Sequence, residues 1–247
     1  MKNKNQIIQR LQDDSDYYGE FGRKFLSNSD IGVLLANPKD YRKRREDSKA
    51  LLEGRYFHQL LIEPDKAESV PFVDASTRNT NIYKQFIAES GLEIALLQHE
   101  KENIEHLVSV MKSNIHFYDE IYRPGNKFEV PEVKDVLGQL WKGKADIVSE
   151  HILIDLKTTG DIHRFKYSAR AYNYDSQAWL YGQLFGKPLV FYVIDKETAQ
   201  LGVFRPTEEF LMFGKHKVEQ AIEVYNRYFG PIAFDSVDNH YIEMELL

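Results

Sequence analysis

Asp146, Asp155 and Lys157 are the residues whose types and spacing could do chemistry in this chain. Asp146 ends one apolar run, and Asp155-Leu156-Lys157 ends the next, nine residues on. Ile152, Leu153 and Ile154 have the make-up of a buried strand. Residues two apart on a strand point to the same face. Asp155 and Lys157 therefore share one side, while Leu156 turns into the core. A hairpin between the two runs brings Asp146 level with them. Two carboxylates and one ammonium converging on a sheet face form a divalent-metal site with a cationic neighbour. A lone Asp-x-Lys is also what a solvated strand end with a local ion pair looks like, so its surroundings decide.

Those surroundings hold three further ordered elements. Gly143 opens a Gly-x-x-Asp pattern that ends at Asp146. Gln177 and Tyr181 lie one turn apart on a helix expected over 176–185, and His58 follows Gly54 by one turn in Gly54-Arg-Tyr-Phe-His58. This set resembles the RecB-like branch of the PD-(D/E)XK nucleases, and within it the RecE-type exonucleases of phage recombination. The resemblance spans roughly Phe25 to Phe229 and is strongest from Lys142 to Tyr181.

That resemblance implies an α/β fold: a restriction-endonuclease-like PD-(D/E)XK core with a central mixed β-sheet flanked by helices, and a helical N-terminal region. It implies Mg2+ or Mn2+ held by Asp146, Asp155, the Leu156 carbonyl and His58, with a glutamate of the preceding strand nearby or acting through water. Glu129 fits that glutamate by its distance from Gly138 and Asp146; Glu132, on the opposite strand face, is the alternative. Lys157 would orient or help deprotonate the attacking water and stabilise charge on the phosphate. Gln177 and Tyr181 would face the active site and touch DNA or order the lysine; either alone also suits a buried polar–aromatic pair. The implied activity is a 5′-to-3′ exonuclease on duplex DNA ends. It would leave a 3′ single strand for an annealing protein and could act as a homo-oligomeric ring. The same fold also serves structure-selective or general endonucleases, and a vestigial site would leave a nucleic-acid-binding protein.

Composition limits the alternatives. The 247 residues, 43% hydrophobic and 28% charged, suit a single domain over 1–247. Within it, 1–125 is expected to be mainly helical, and 126–230 to form the catalytic sheet core and closing helix. The chain has no cysteine. That excludes disulfides, thiolate metal sites and the four-cysteine iron–sulfur cluster of some RecB-like relatives. No apolar run reaches the ~18 residues of a membrane span, and Met1-Lys-Asn-Lys-Asn leads into a polar helix rather than a signal core. Both read as a cytoplasmic protein, and the resemblance implies a bacterial host or its phage. The net charge of −6 argues mildly against nucleic acid, but a basic track can be local. Neither phosphate-binding glycine motif, Gly-x-Gly-x-x-Gly or Gly-x-x-x-x-Gly-Lys-Ser/Thr, is present.

The elements that must position these residues read as follows. A short helix is expected over 5–14, a loop over 13–22, and a helix capped by Ser27 or Ser29 that stops at Asn37-Pro38. A second helix runs over 48–62. Gly54 inside it costs roughly 1 kcal/mol against alanine, for which close packing is the expected reason. His58 reads as a satisfied core histidine or a ligand, and the resemblance favours the ligand. Helical period continues over 81–114. A strand over 128–133 carries Pro131, which suggests a sheet edge. Residues 188–194 form a buried strand paired with 201–204, and a long helix begins at Thr207. Two basic features stay open: Tyr41-Arg-Lys-Arg-Arg45 as a solvated helix face or a phosphate contact, and Arg78 as a phosphate clamp or an ion-pair partner of a carboxylate.

Overall fold

Five strands run in sequential order across the central sheet: β1 (Lys127–Val136), β2 (Gln139–Val148), β3 (Leu153–Thr159), β4 (Leu189–Asp195) and β5 (Leu201–Phe204). The β3–β4 pair is parallel and the other neighbours are antiparallel, so the sheet is mixed, as expected. These positions come from a computed structural model, which describes residues 2–44 and 46–241. Met1 and Arg45, the last residue of the basic run, lie outside the described residues. Pro131 sits on β1 at the edge of the sheet, where a missing N–H is tolerated. The β1–β2 turn is Leu137-Gly138, both at positive φ (55° and 79°), which suits a tight hairpin.

The main helices are α1 (Lys2–Leu11), α2 (Asn28–Ala36), α3 (Lys49–Ile62), α4 (Asn81–Ser90), α5 (Gln98–Ser113), α6 (Ile115–Ile121), α7 (Tyr174–Phe185) and α8 (Glu208–Tyr228). Helices α2, α7 and α8 bury their apolar stripes against one sheet face, around Trp141, Leu153, Phe191 and Val193. Helices α3, α5 and α6 pack on the other, around Ile154, Leu156, Tyr192 and Ile194. Strand β4 feeds both layers, and every one of its residues is buried. That is why it reads as an unbroken apolar run rather than an alternating one. Among the described residues no helix is long and apolar enough to cross a membrane.

Several local expectations need correction. Residues 13–22 are not a loop throughout. Asp13 accepts a hydrogen bond from the Ser15 N–H and caps a short helix over Asp14–Tyr18, because its carboxylate meets a donor the first turn leaves free. The helical stretch over 81–114 is two helices, broken where Gly91 takes a left-handed conformation (φ 69°). Ser27, with Asp30, supplies the capping box of α2. Gly54 is not a packing glycine: a Cβ there would meet nothing within 4 Å. The basic run is not a helix face. Arg42 sits at φ 64° and reaches Phe25 O and Asp30, Lys43 pairs with Asp40, and Arg44 with Glu93.

One irregularity in the sheet shapes everything near Asp146. Ala145 packs in the α7 layer and Ile147 in the α3 layer, although they stand two apart on β2. The pleat alternation therefore slips at Asp146. Across from it on β1, Val130 pairs with Ala145 and Phe128 with Ile147, while Glu129 between them forms no pair and sits at φ 49°. A non-glycine residue in the left-handed region is uncommon and costs of order 1–3 kcal/mol. The β2–β3 ladder likewise consists of Ile147↔Ile154 and Val148↔Leu153. Beyond those pairs the strands part, at the level of Asp146 and Asp155.

Candidate active site

The gap between β2 and β3 is filled by the Asp146 carboxylate. Its Oδ2 accepts the Leu156 N–H at 2.8 Å, a donor that the interrupted ladder leaves free. From α3, His58 reaches into the same gap. Its Nε2 lies 2.7 Å from the Leu156 carbonyl oxygen and its Nδ1 3.5 Å from Asp146 Oδ2. The kink at Glu129 brings a second carboxylate alongside. Ligand atoms of His58, Glu129 and Asp146 all lie within 4.8 Å of one another. Glu132 does not join them; it pairs with Lys4 at 2.8 Å.

Asp155 and Lys157 face the α7 side of β3 together, and Leu156 between them is fully buried in the α3 layer, as period two requires. Asp155 Oδ1 accepts from Gln177 Nε2 at 2.6 Å. Asp155 Oδ2 lies 2.7 Å from Lys157 Nζ but off the hydrogen-bonding direction, so this buried oxygen makes no well-directed hydrogen bond. The Lys157 ammonium also sits 4.7 Å over the Tyr174 ring. Tyr174 was not singled out by its sequence, although it precedes Gln177 by three residues and thus shares its helix face.

Helix α7 holds both strands. Gln177 holds Asp155 on β3. One turn on, the Tyr181 hydroxyl accepts from Lys144 N–H at 3.3 Å and donates to Lys144 O at 3.1 Å. Tyr181 thus orders the backbone of β2 rather than the lysine. Gly143 makes this approach feasible, since a Cβ there would lie 2.8 Å from Leu184 Cδ1 and 3.0 Å from Tyr181 Cε2. The Gly-x-x-Asp spacing therefore has a packing origin: glycine lets α7 close on β2 three residues before Asp146.

The electrostatics follow from burial. Glu129 is pushed up to about 8 by burial and by the charge of Asp146. Asp146 rises to about 6 through burial, with His58 opposing and Asp155 adding to the rise. Burial works against the Lys157 ammonium as well, but Asp155 outweighs it and its pKa is raised. Two carboxylates and a histidine within 4.8 Å of one another, with the histidine against the Leu156 carbonyl oxygen, are a donor set suited to a hard divalent cation. The unmet Asp155 Oδ2 and the raised carboxyl groups are what such a cation would relieve. Asp155 stands outside the tight trio, on the neighbouring strand face, with Oδ2 ion-paired to Lys157 but without a directed hydrogen bond.

A second group borders the site. Lys142 and Lys144 on β2 are buried beneath the Asp14–Tyr18 turn. Lys144 Nζ pairs with Asp14 at 2.5 Å, and Lys66 reaches the other Asp14 oxygen at 2.6 Å. Lys142 donates to the Tyr17 carbonyl, and burial lowers its pKa to about 8. Arg78 joins none of this. Its guanidinium grips Glu100 with two bonds of 2.7 Å and reaches Ala95 O at 3.1 Å. Of its two readings the structure supplies the ion pair, because Glu100 is buried and needs a counter-charge.

Comparison with known proteins shows the family and the fold. Residues 29–229 match the family model of a PDDEXK-like domain of unknown function (DUF3799). The chain belongs to that family. Its fold is that of the PD-(D/E)XK nucleases. A proposed exonuclease from Eubacterium rectale aligns with a TM-score of 0.62 at 18% identity, over 95% of this chain and 96% of that one. At that identity the likeness shows a common fold. The structure of SSO0001 aligns at a TM-score of 0.36 and 15% identity, over 89% of this chain and 85% of that one, too distant to support any argument. No curated relative matches the sequence.

Proposed function

We propose that this PD-(D/E)XK protein is a Mg2+- or Mn2+-dependent deoxyribonuclease that digests duplex DNA from its ends, 5′ to 3′, leaving a 3′ single strand. The observation that supports it most is the convergence of His58, Glu129 and Asp146 within 4.8 Å, beside the Asp155–Lys157 pair. His58, Asp146, Glu129 and the Leu156 carbonyl would hold the cation, with Asp155 Oδ2 as a further donor. Such a cation, when bound, polarises a phosphate oxygen and lowers the pKa of a bound water.

The chain's own residues do the rest. Lys157, kept charged by Asp155 and Tyr174, serves as a hydrogen-bond donor to the phosphate or the attacking water rather than as a base. Gln177 fixes Asp155, so the lysine keeps one direction. None of these groups reads a base, so the proposed cleavage is indifferent to sequence.

The test is digestion of linear duplex labelled at the 5′ or 3′ end, beside a closed circle, with magnesium or chelator, for wild type and Lys157→Ala. Early release of 5′ label, an intact circle and loss of activity in chelator or in the variant are expected. A cut circle would replace the exonuclease by an endonuclease. Absence of metal-dependent cleavage would leave a binding protein on a nuclease fold.

A further inference from the structure

We propose that residues 161–174 form a platform for single-stranded nucleic acid, on which Tyr172 and Tyr167 stack unpaired bases while Arg164 and Lys166 hold the adjoining phosphates. The proposal rests on the nuclease reading and adds where the strand lies. This segment leaves the sheet just after Lys157 and returns at α7, so it flanks the candidate site by construction.

A row of aromatic rings leads outward from the catalytic lysine. Tyr174 lies under the Lys157 ammonium and is anchored against Phe165 and Phe191, at 6.0 Å and 5.6 Å between ring centroids. Tyr172 follows at 5.9 Å from Tyr174 and is 66% exposed. The short helix Phe165–Ala171 buries Phe165 and Ala169 and leaves Lys166 and Tyr167 outside, with Tyr167 63% exposed. Neither tyrosine has a core reason to be aromatic.

The charge points the same way. The segment carries Arg164, Lys166 and Arg170 against the single carboxylate of Asp161, in a chain whose net charge is −6. Asp161 is committed to the N–H groups of His163 and Arg164, and Arg170 to Glu209 and the Phe213 ring. Among the described residues no carboxylate lies within 4.0 Å of Arg164 or Lys166. Lys166 instead rests 4.8 Å over Tyr167. Exposed aromatic faces interleaved with free cations suit a strand whose bases are unstacked. A duplex would offer its phosphates but hide its base faces.

The test is fluorescence anisotropy of labelled single-stranded oligonucleotides and of a blunt duplex, in calcium, with end-directed cleavage in magnesium measured in parallel. Tyr172→Ala and Tyr167→Ala should each weaken single-strand binding about 5- to 150-fold, with duplex binding changed less than about twofold, and Tyr172→Phe should bind like wild type. An abasic nucleotide scanned along the strand should cost wild type at one or two positions and cost Tyr172→Ala nothing further there. Arg164→Gln or Lys166→Gln should reduce the salt dependence by about 0.7 per cation removed. Both tyrosines are solvent-facing, so melting temperatures should hold. Wild-type affinity in the tyrosine variants, equal losses on single strand and duplex, or no single-strand binding by wild type would overturn the platform, even with cleavage intact. An intact stacking profile without any metal-dependent cleavage would uphold the platform and sink the nuclease reading.

Discussion

Replacing Gly143 by alanine should loosen the candidate site without touching a charged residue. The new Cβ would lie 2.8 Å from Leu184 Cδ1 and 3.0 Å from Tyr181 Cε2, well inside the 3.5–4.0 Å of a normal carbon contact. Leu184 and Tyr181 are 4% and 8% exposed, so neither can swing into solvent. One of them must leave its rotamer or α7 must move away, at about 1–3 kcal/mol for overpacking. In a chain of 247 residues each kcal/mol lowers Tm by about 2–4 °C, so a fall of roughly 2–12 °C is expected. A shift of α7 acts at two points, slackening Tyr181 on Lys144 and Gln177 on Asp155. Metal-dependent cleavage should therefore fall by more than the unfolded fraction explains. Leu184→Ala supplies the control. Alone it should cost about 2–5 kcal/mol for lost buried methyl groups, but it also opens the space the new Cβ needs. Denaturant unfolding of both single variants and the double should show the double at least about 1 kcal/mol more stable than additivity predicts. Strict additivity with unchanged cleavage would mean that α7 does not set the geometry of β2.

Gln177→Ala removes the 2.6 Å donor to buried Asp155 and should cost about 1.5–3 kcal/mol in chelator and less in saturating magnesium; equal costs in both would uncouple Asp155 from the cation. Gly54→Ala should stabilise the helix by about 1 kcal/mol, since nothing lies within 4 Å, and a lower Tm would refute the open surroundings. Because Glu129 and Asp146 bind protons more tightly when folded, at about 8 and about 6, they favour the native state most below pH ~4.5. Their contribution is lost as pH rises through those values. Melts in chelator should therefore decline from pH 6 to pH 8, more steeply for wild type than for Glu129→Gln, and matching slopes would exclude Glu129 as the source. Arg78→Ala should lose about 1.5–3 kcal/mol of stability with DNA affinity unchanged once melting is accounted for; a selective loss of affinity would restore its reading as a phosphate clamp.

Period-two alternation was enough to place Asp155 and Lys157 on one face and Leu156 beneath them, and the spacing to Asp146 implied the hairpin. Pro131 marked the sheet edge for the plain reason that it lacks an N–H. The pleat slip at Asp146 was not legible. Glutamate has no preference for positive φ, so nothing in Phe128-Glu129-Val130 announces that Glu129 adopts it; only the parted strands around it do. The Lys144–Asp14 pair joins residues 130 positions apart, which no local pattern encodes. Gly54 misled because glycine in a helix signals either a close neighbour or deliberate emptiness, and sequence cannot tell these apart. Tyr174 was readable from its three-residue offset to Gln177 but looked like one aromatic among fifteen tyrosines.

The double grip of α7 has a consequence for how this family can vary. Gln177 and Tyr181 fix the distance between two strands that have no ladder of their own at that level, so the helix works as a gauge block. One residue added between Gln177 and Tyr181 would turn the second grip by about 100° and release β2. Homologues of this chain should therefore keep the four-residue interval between the glutamine and the tyrosine fixed.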